Sequence, residues 1–302
     1  MKDNIISLKI EDVPARVFAV NSKEAVVKMQ QVHNSSYTST AAAGRVLSAA
    51  AMMSMALKSE KDKLSIQIKS DGPIKGIVAV VNSAGEVKID IHQPDIYLPL
   101  KANGKLDVSS AVGKGTLTVV RDLGLKNPYV GTVDIVSGEI AEDFTYYFAT
   151  SEQTPSVVAL GVLLGENGDV KASGGYMIQL MPGCPDEVIK YLEDKISTAK
   201  SVTSMLEKDM APMEMIKVIF PEKNIELIDS KSLEYKCDCS RDRMWDGLAM
   251  IKKEDVEKMI FEDGGAEVVC HFCNTKYNFT VDELKKIMEK PKNKHENLNN
   301  RF

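Results

Sequence analysis

The stretches CDC (237–239) and CHFC (270–273) hold four of the five cysteines of this 302-residue chain. Thirty residues lie between the two pairs. Two close pairs joined by a loop can converge on one tetrahedral zinc ion as a four-cysteine site. A CxC pair can also oxidise to a small, strained disulfide, and strained disulfides are the labile, regulatory kind. The same four sulfur atoms therefore predict either a structural zinc site or a redox switch.

Length and charge limit the class of protein. A chain of this length can bury a full core and is expected to split into one large and one small domain. Charged and apolar residues alternate over residues 1–20, so we expect a cytoplasmic protein with no export or membrane segment. In a reducing cytosol, paired cysteines bind metal or sense oxidants rather than forming permanent bridges. The net charge of −5 disfavours nucleic acid as a general partner.

Helix and strand patterns mix along the first 182 residues. Residues 22–32 and the Ala- and Met-rich stretch 41–57 predict helices, the second one buried. Alternating or continuous apolar runs at 64–69, 77–81 and 87–91 predict an antiparallel meander, and similar runs recur further on. Strands and helices without regular alternation predict an α+β fold, in which a large N-terminal domain (1–182) combines antiparallel sheets with packed helices.

A second region begins after Pro182 and Gly183, which mark a boundary. We expect residues 183–236 to form a metastable helical linker, because the segment has a helical pattern but too little apolar bulk for its own core. Residues 237–290 then form a small zinc-binding redox-switch domain, and residues 291–302 a polar tail. The apolar face of the linker needs a partner surface on the large domain, and it consists of Val188, Leu192, Ile196 and Leu206.

Six blocks of sequence carry a resemblance to a known family. CDCSRDR (237–243) and CHFCNTKYNF (270–279) resemble the two zinc-ligand motifs of the redox-regulated 33 kDa heat-shock chaperones, the heat shock protein 33 family. Four blocks of the large domain resemble its other signature stretches, and these are RDLGL (121–125), GEIAEDF (138–144), SEQ (151–153) with Pro155-Ser156, and GGYMIQ (174–179) with Pro182-Gly183. The resemblance extends over nearly the whole chain.

This resemblance implies an ATP-independent holdase that binds unfolded or partly folded client proteins under oxidative stress. It implies inactivity while one zinc ion per chain is bound by the reduced thiolates of Cys237, Cys239, Cys270 and Cys273, and activation by oxidants. For the oxidised form we expect disulfides of Cys237 with Cys239 and of Cys270 with Cys273, because local bridges cost the least chain entropy. We also consider a homodimer on activation. The sequence contains no GxxxxGK[ST] nucleotide loop, and we expect no enzyme.

Single residues and the whole chain also allow other interpretations. His271 lies between two ligands, but four thiolates already complete a tetrahedral set and leave no open position for a zinc enzyme. Cys184 is unpaired and is expected to be a bystander. The acidic residues Glu139, Glu142 and Asp143 fall at a helix start, where the dipole favours acids. The alternative function is a zinc-ribbon module that binds RNA or ribosomes through basic residues near the C-terminus.

Overall fold

The computed structural model describes residues 2–208 and 210–289. The chain divides into two compact units, the first ending at Lys236 and the second beginning at Cys237. The expected polar tail at 291–302 lies outside the described residues. Among the described helices, none is both long and apolar enough to cross a membrane.

The first unit combines two sheets with helices, as the α+β prediction required, and all the strand pairs described in these sheets are antiparallel except that of β11 with β5. Its elements in chain order are β1 (Asn4–Ile10), β2 (Val13–Asn21), α1 (Lys23–His33), α2 (Tyr37–Met53), β3 (Lys63–Ser70), β4 (Gly76–Asn82), β5 (Glu86–Ile91), α3 (Val108–Val112), β6 (Gly115–Asp122), β7 (Tyr129–Asp134), α4 (Ala141–Thr150), β8 (Ser156–Leu164), β9 (Val170–Leu180), α5 (Asp186–Thr198), α6 (Val202–Leu206), α7 (Pro212–Ile219), β10 (Ile225–Ser232) and β11 (Glu234–Tyr235).

The main core lies around helix α2. One sheet has the strand order β10-β1-β2-β9-β8 and the other β11-β5-β4-β3-β6-β7. Helix α2 contacts strands of both sheets, and nearly all of its side chains are buried. Its run of alanines allows this close approach, because small side chains let the backbone pack near the strands. Strand β4 is buried along almost its whole length, as its continuous apolar sequence predicts.

The last part of the first unit differs from the sequence prediction. Residues 225–235 were expected to continue a helical linker, but they form strands β10 and β11. Strand β10 pairs with β1 in antiparallel fashion, and β11 pairs with β5 in parallel fashion. The partner strands lie about 150 or more residues away in sequence, so local periodicity could not reveal the pairing. The N-terminal strands β1 and β2 were also missed by the sequence analysis.

The linker helices lie on the outer face of the five-stranded sheet. Leu192 and Leu206 are buried there, and Val188 and Ile196 are partly buried. The sheet contributes apolar side chains that include Val17 of β2 to this second cluster. Helix α5 has a single fully buried side chain, Leu192, whereas α6 and α7 bury three and four residues. Helix α5 is therefore the most weakly anchored of the three.

The second unit is small. It contains α8 (Arg241–Met250), α9 (Lys253–Phe261), β12 (Gly265–Val269), β13 (Lys276–Thr280) and α10 (Val281–Glu289). Strands β12 and β13 form an antiparallel hairpin. The sequences of residues 254–261 and 281–289 predict helices, and the structure has α9 and α10 there. Helix α8 was not predicted. The buried apolar cluster of its described residues is modest, and it consists of Leu248, Val256, Ile260, Phe279, Leu284 and Ile287.

Candidate metal centre

Two short segments of the second unit carry the cysteines. Cys237 and Cys239 lie in the extended segment before α8, whose first turn is capped by Ser240. Cys270 and Cys273 lie in the turn of the β12–β13 hairpin. Within this turn the Asn274 N–H donates to the Cys270 carbonyl at 2.7 Å, and Asn274 adopts a φ of 56°. Asparagine tolerates this left-handed conformation better than most residues, which lets the turn fold both sulfur atoms to one side.

The four sulfur atoms form one cluster. The Sγ atoms of Cys237 and Cys270 are 3.7 Å apart, and those of Cys239 and Cys273 are 3.3 Å apart. All four lie within 4.8 Å of one another. Sulfur atoms bound at 2.3 Å to a common tetrahedral ion would be separated by about 3.8 Å. The cluster therefore has a donor set and a size that could bind one metal ion.

Neighbouring side chains hold the two cysteine segments together. The Tyr277 hydroxyl lies 3.1 Å from Cys239 Sγ. Arg241 donates to the Asn278 carbonyl and to Glu283, both at 2.7 Å, and its guanidinium lies over the Phe279 ring. These contacts connect the start of α8 to strand β13 and to α10. Tyr277 belongs to the motif that carries the resemblance, but its contact with Cys239 was not predicted.

The cysteines of the cluster differ in the direction in which their pKa values are shifted. The contact between the two sulfur atoms lowers the pKa of the Cys270 thiol, and the same contact raises the pKa of the Cys237 thiol. Burial raises the pKa of Cys239, and the hydrogen bond to Cys239 raises the pKa of Tyr277 to about 12. Tyr277 is thus suited to donate to a thiolate sulfur. Four thiolates this close repel one another, so a divalent cation is what would allow all of them to ionise together.

Other candidate residues lie outside the cluster. His271 is exposed and does not belong to the group of potential metal ligands. Cys184 belongs to the first unit and is half-buried. Asp143 is buried and accepts hydrogen bonds from main-chain N–H groups before α4, and Glu139 pairs with Arg45 and Lys101. Glu139 and Asp143 therefore have structural partners, and Glu142 is exposed in the first turn of α4.

The fold and the cluster define a class: a large α+β unit followed by a small unit organised around four cysteines that could bind a metal. The family model described as Hsp33 protein matches residues 3–280. The chain belongs to the Hsp33 family, the redox-regulated holdase chaperones, which are not enzymes. This membership favours the chaperone over the RNA-binding alternative.

Individual relatives are similar to this chain over almost their full length. The chain is 45% identical to a 33 kDa chaperonin of Acetivibrio thermocellus, covering 96% of this chain and 98% of that protein. It is also 45% identical to a 33 kDa chaperonin of Agathobacter rectalis, covering 95% and 100%. The crystal structure of the 33 kDa chaperonin from Thermotoga maritima matches with a TM-score of 0.87 at 37% identity, covering 95% of this chain and 98% of that chain.

Proposed function

We propose that this protein is a holdase whose switch is the four-cysteine cluster. In the reduced state one Zn²⁺ per chain is bound by Cys237, Cys239, Cys270 and Cys273, and the chaperone is inactive. The observation that carries the proposal is the convergence of four sulfur atoms from two distant segments within 4.8 Å. A set of four thiolates suits zinc as a structural ion and leaves no open position for hydrolytic chemistry. The cytoplasm, which keeps thiols reduced, is the compartment we propose.

Oxidation is the activating step. Two thiolates lose two electrons to form one disulfide, while peroxide accepts those electrons and two protons to give two waters. Two such reactions consume all four ligands and release Zn²⁺. The closest sulfur contacts join the two segments rather than lying within them. We nevertheless propose the bridges Cys237 with Cys239 and Cys270 with Cys273, because local bridges cost the least chain entropy as the unit unfolds.

Loss of zinc should unfold the second unit. Its apolar cluster contains few fully buried side chains among the described residues. Structural zinc contributes on the order of 10–16 kcal/mol in small zinc-finger peptides, which exceeds what a core of this size supplies. The two local disulfides do not connect the hairpin turn to the segment before α8, so they do not replace the metal.

Residues 183–236 would transmit this unfolding. Strand β11 ends two residues before Cys237, and it pairs Glu234 and Tyr235 with β5. The Lys236 N–H adds a hydrogen bond to the Val87 carbonyl at 2.9 Å. The Tyr235 hydroxyl donates to the Ile89 carbonyl at 3.2 Å. Helices α5 to α7 contain 13, 5 and 8 residues, and isolated helices this short are unstable in water. We propose that they undock and uncover the outer face of the five-stranded sheet for unfolding client proteins. The same face would support a homodimer on activation.

An aggregation assay tests this function. A chemically unfolded client is diluted into buffer, and light scattering is followed with the reduced or peroxide-treated chain in the absence of nucleotide. We expect suppression of scattering only by the oxidised chain, and its reversal by a thiol reductant with added Zn²⁺. Equal suppression by both forms, or a requirement for ATP, would exclude the proposed switch.

A further inference from the structure

The first unit contains a cavity that is separate from the four-cysteine cluster. Its volume is about 800 Å³, within the range typical of ligand pockets. It lies near the C-terminal end of α2 and beside strands β2 and β9, on the face of the five-stranded sheet opposite the linker cluster. Five methionines line it, and these are Met52, Met53, Met55, Met177 and Met181.

The methionines favour an apolar occupant of variable shape. Methionine is unbranched and polarizable, so a wall of methionines can repack around different side chains. Proteins with many partners use such surfaces for this reason. A holdase has to bind many clients, and this lining meets that requirement better than a rigid pocket of branched residues would.

The charges of the cavity favour an occupant that carries carboxylates. Arg16, Lys58 and Arg121 line it together with the single acid Glu152. Glu152 already pairs with Arg121 at 2.8 Å and accepts the Tyr147 hydroxyl at 2.6 Å. Within the described part of the chain, the side chains of Arg16 and Lys58 have no hydrogen-bond or ion-pair partner. Two exposed cations therefore remain beside an apolar wall.

Polar side chains of the cavity favour a peptide over a lipid. Ser7, Thr154 and Gln179 also line it. The Thr154 hydroxyl already donates to the Glu152 carbonyl and the Gln179 amide to the Ser156 hydroxyl. Their remaining hydrogen-bonding capacity can serve the main-chain N–H and C=O groups of an extended peptide, whereas an acyl chain has no such groups along its length. Ile189 of α5 lines the same cavity. Undocking of α5 would therefore widen it.

We propose that this cavity binds an extended client segment in which apolar residues lie beside Asp or Glu. The inference rests on the proposed holdase function and assigns part of its client surface to the methionine-lined cavity. The apolar side chains contact the methionines, and the carboxylates pair with Arg16 and Lys58. Binding is tighter after oxidation, because Ile189 of the undocked α5 then no longer narrows the cavity.

Two fluorescent peptides, one alternating Leu with Glu and one alternating Leu with Lys, test the assignment by anisotropy with the full oxidised chain. The Glu peptide should bind more tightly. Arg16→Glu and Lys58→Glu should each weaken its binding roughly 3- to 10-fold and reduce its salt dependence. Lys28→Glu is the matched control, because Lys28 is exposed on α1 and does not line the cavity. Unchanged binding in both cavity variants would overturn the proposal, as would binding of oleate without binding of the Glu peptide.

A cross-linking experiment locates the peptide independently. A benzophenone group on the Glu peptide should attach to Met52, Met177 or Met181, as found by peptide mapping. Attachment confined to the linker cluster around Leu192 would contradict the cavity assignment. Aggregation suppression is measured on the same samples. If the oxidised wild type suppresses aggregation while the cavity results fail, the cavity assignment is wrong and the switch stands. If the wild type does not suppress aggregation, the proposed function itself is wrong.

Discussion

Replacing Leu192 by Asp should activate the chaperone without oxidation. Leu192 is 3% exposed and is the single fully buried side chain of α5. It packs in the cluster formed by the outer face of the five-stranded sheet and helices α6 and α7. The substitution removes this apolar contact and places a carboxylate where the structure offers apolar neighbours, so α5 should undock to hydrate the charge.

The size of the effect follows from burial. Truncating a buried leucine costs about 2–5 kcal/mol, and leaving a carboxylate unpaired adds to the cost until the helix opens. Because α5 can undock, the stability cost of the substitution cannot exceed the docking free energy of α5. We expect this docking free energy to be about 2–4 kcal/mol, because no other side chain of α5 is fully buried. A change of that size raises the ratio of open to docked α5 roughly 30- to 700-fold.

Hydrogen exchange and aggregation suppression should be measured together on the reduced, zinc-loaded variant. We expect rapid exchange in α5, protection of residues 237–279, and suppression of client aggregation. Lys190→Asp is the control, since Lys190 is exposed on the same helix and the carboxylate stays in water. If α5 of Leu192→Asp exchanges rapidly but the reduced protein remains inactive, opening the linker is insufficient and the transmission argument is wrong.

Three further predictions concern the ligands, the bridges and the pH dependence of stability. His271→Ala should keep about one zinc per chain, whereas Cys239→Ser should lower zinc affinity sharply, as measured by metal analysis and competition with a chelator. Cys184→Ser should retain peroxide activation, with both disulfides found by peptide mapping among the other four cysteines. Burial raises the pKa of Asp3 from 3.8 to about 6. The native state then holds more protons than the unfolded state between these pH values, so stability should fall by up to about 3 kcal/mol as pH rises from about 4 to 6. Urea denaturation of the wild type and Asp3→Asn across this range should show the slope only in the wild type.

Specific outcomes would contradict these three predictions. Loss of zinc in His271→Ala would make the histidine a ligand. A dominant bridge that includes Cys184 in the wild type would reject the local disulfides. Parallel pH profiles of wild type and Asp3→Asn would show that the two N–H donors of Glu24 and Ala25 offset the burial of the Asp3 carboxylate.

Much of the first unit could be predicted because its pattern is local. The buried helix predicted at 41–57 corresponds to α2, and the apolar run at 77–81 falls within β4. Both sequences are almost continuously apolar, so their side chains have to be buried in the core. Strand β10 could not be predicted in this way. Most of its side chains are exposed, including Leu227 and Ile228, so it shows no strong alternation of buried and exposed positions. Main-chain pairing with β1 defines it instead.

The site was predictable in composition but not in detail. Cysteine spacing predicted that four sulfur atoms would converge, and the cluster has that form. The hydrogen bond of Tyr277 to Cys239 depends on the register of β12 and β13, which the sequence does not reveal. The methionine-lined cavity joins residues from Ser7 to Ile189 and is a property of the folded unit. The number of side chains that α5 and α7 bury against the sheet likewise becomes visible only in the folded unit.

The most direct test of the switch is a peroxide titration in which released zinc, remaining thiols and aggregation suppression are measured on the same samples. We predict that one zinc ion leaves as four thiols disappear, and that chaperone activity rises in proportion to the zinc released. Full activity before zinc is released, or complete zinc release with no activity, would contradict the account.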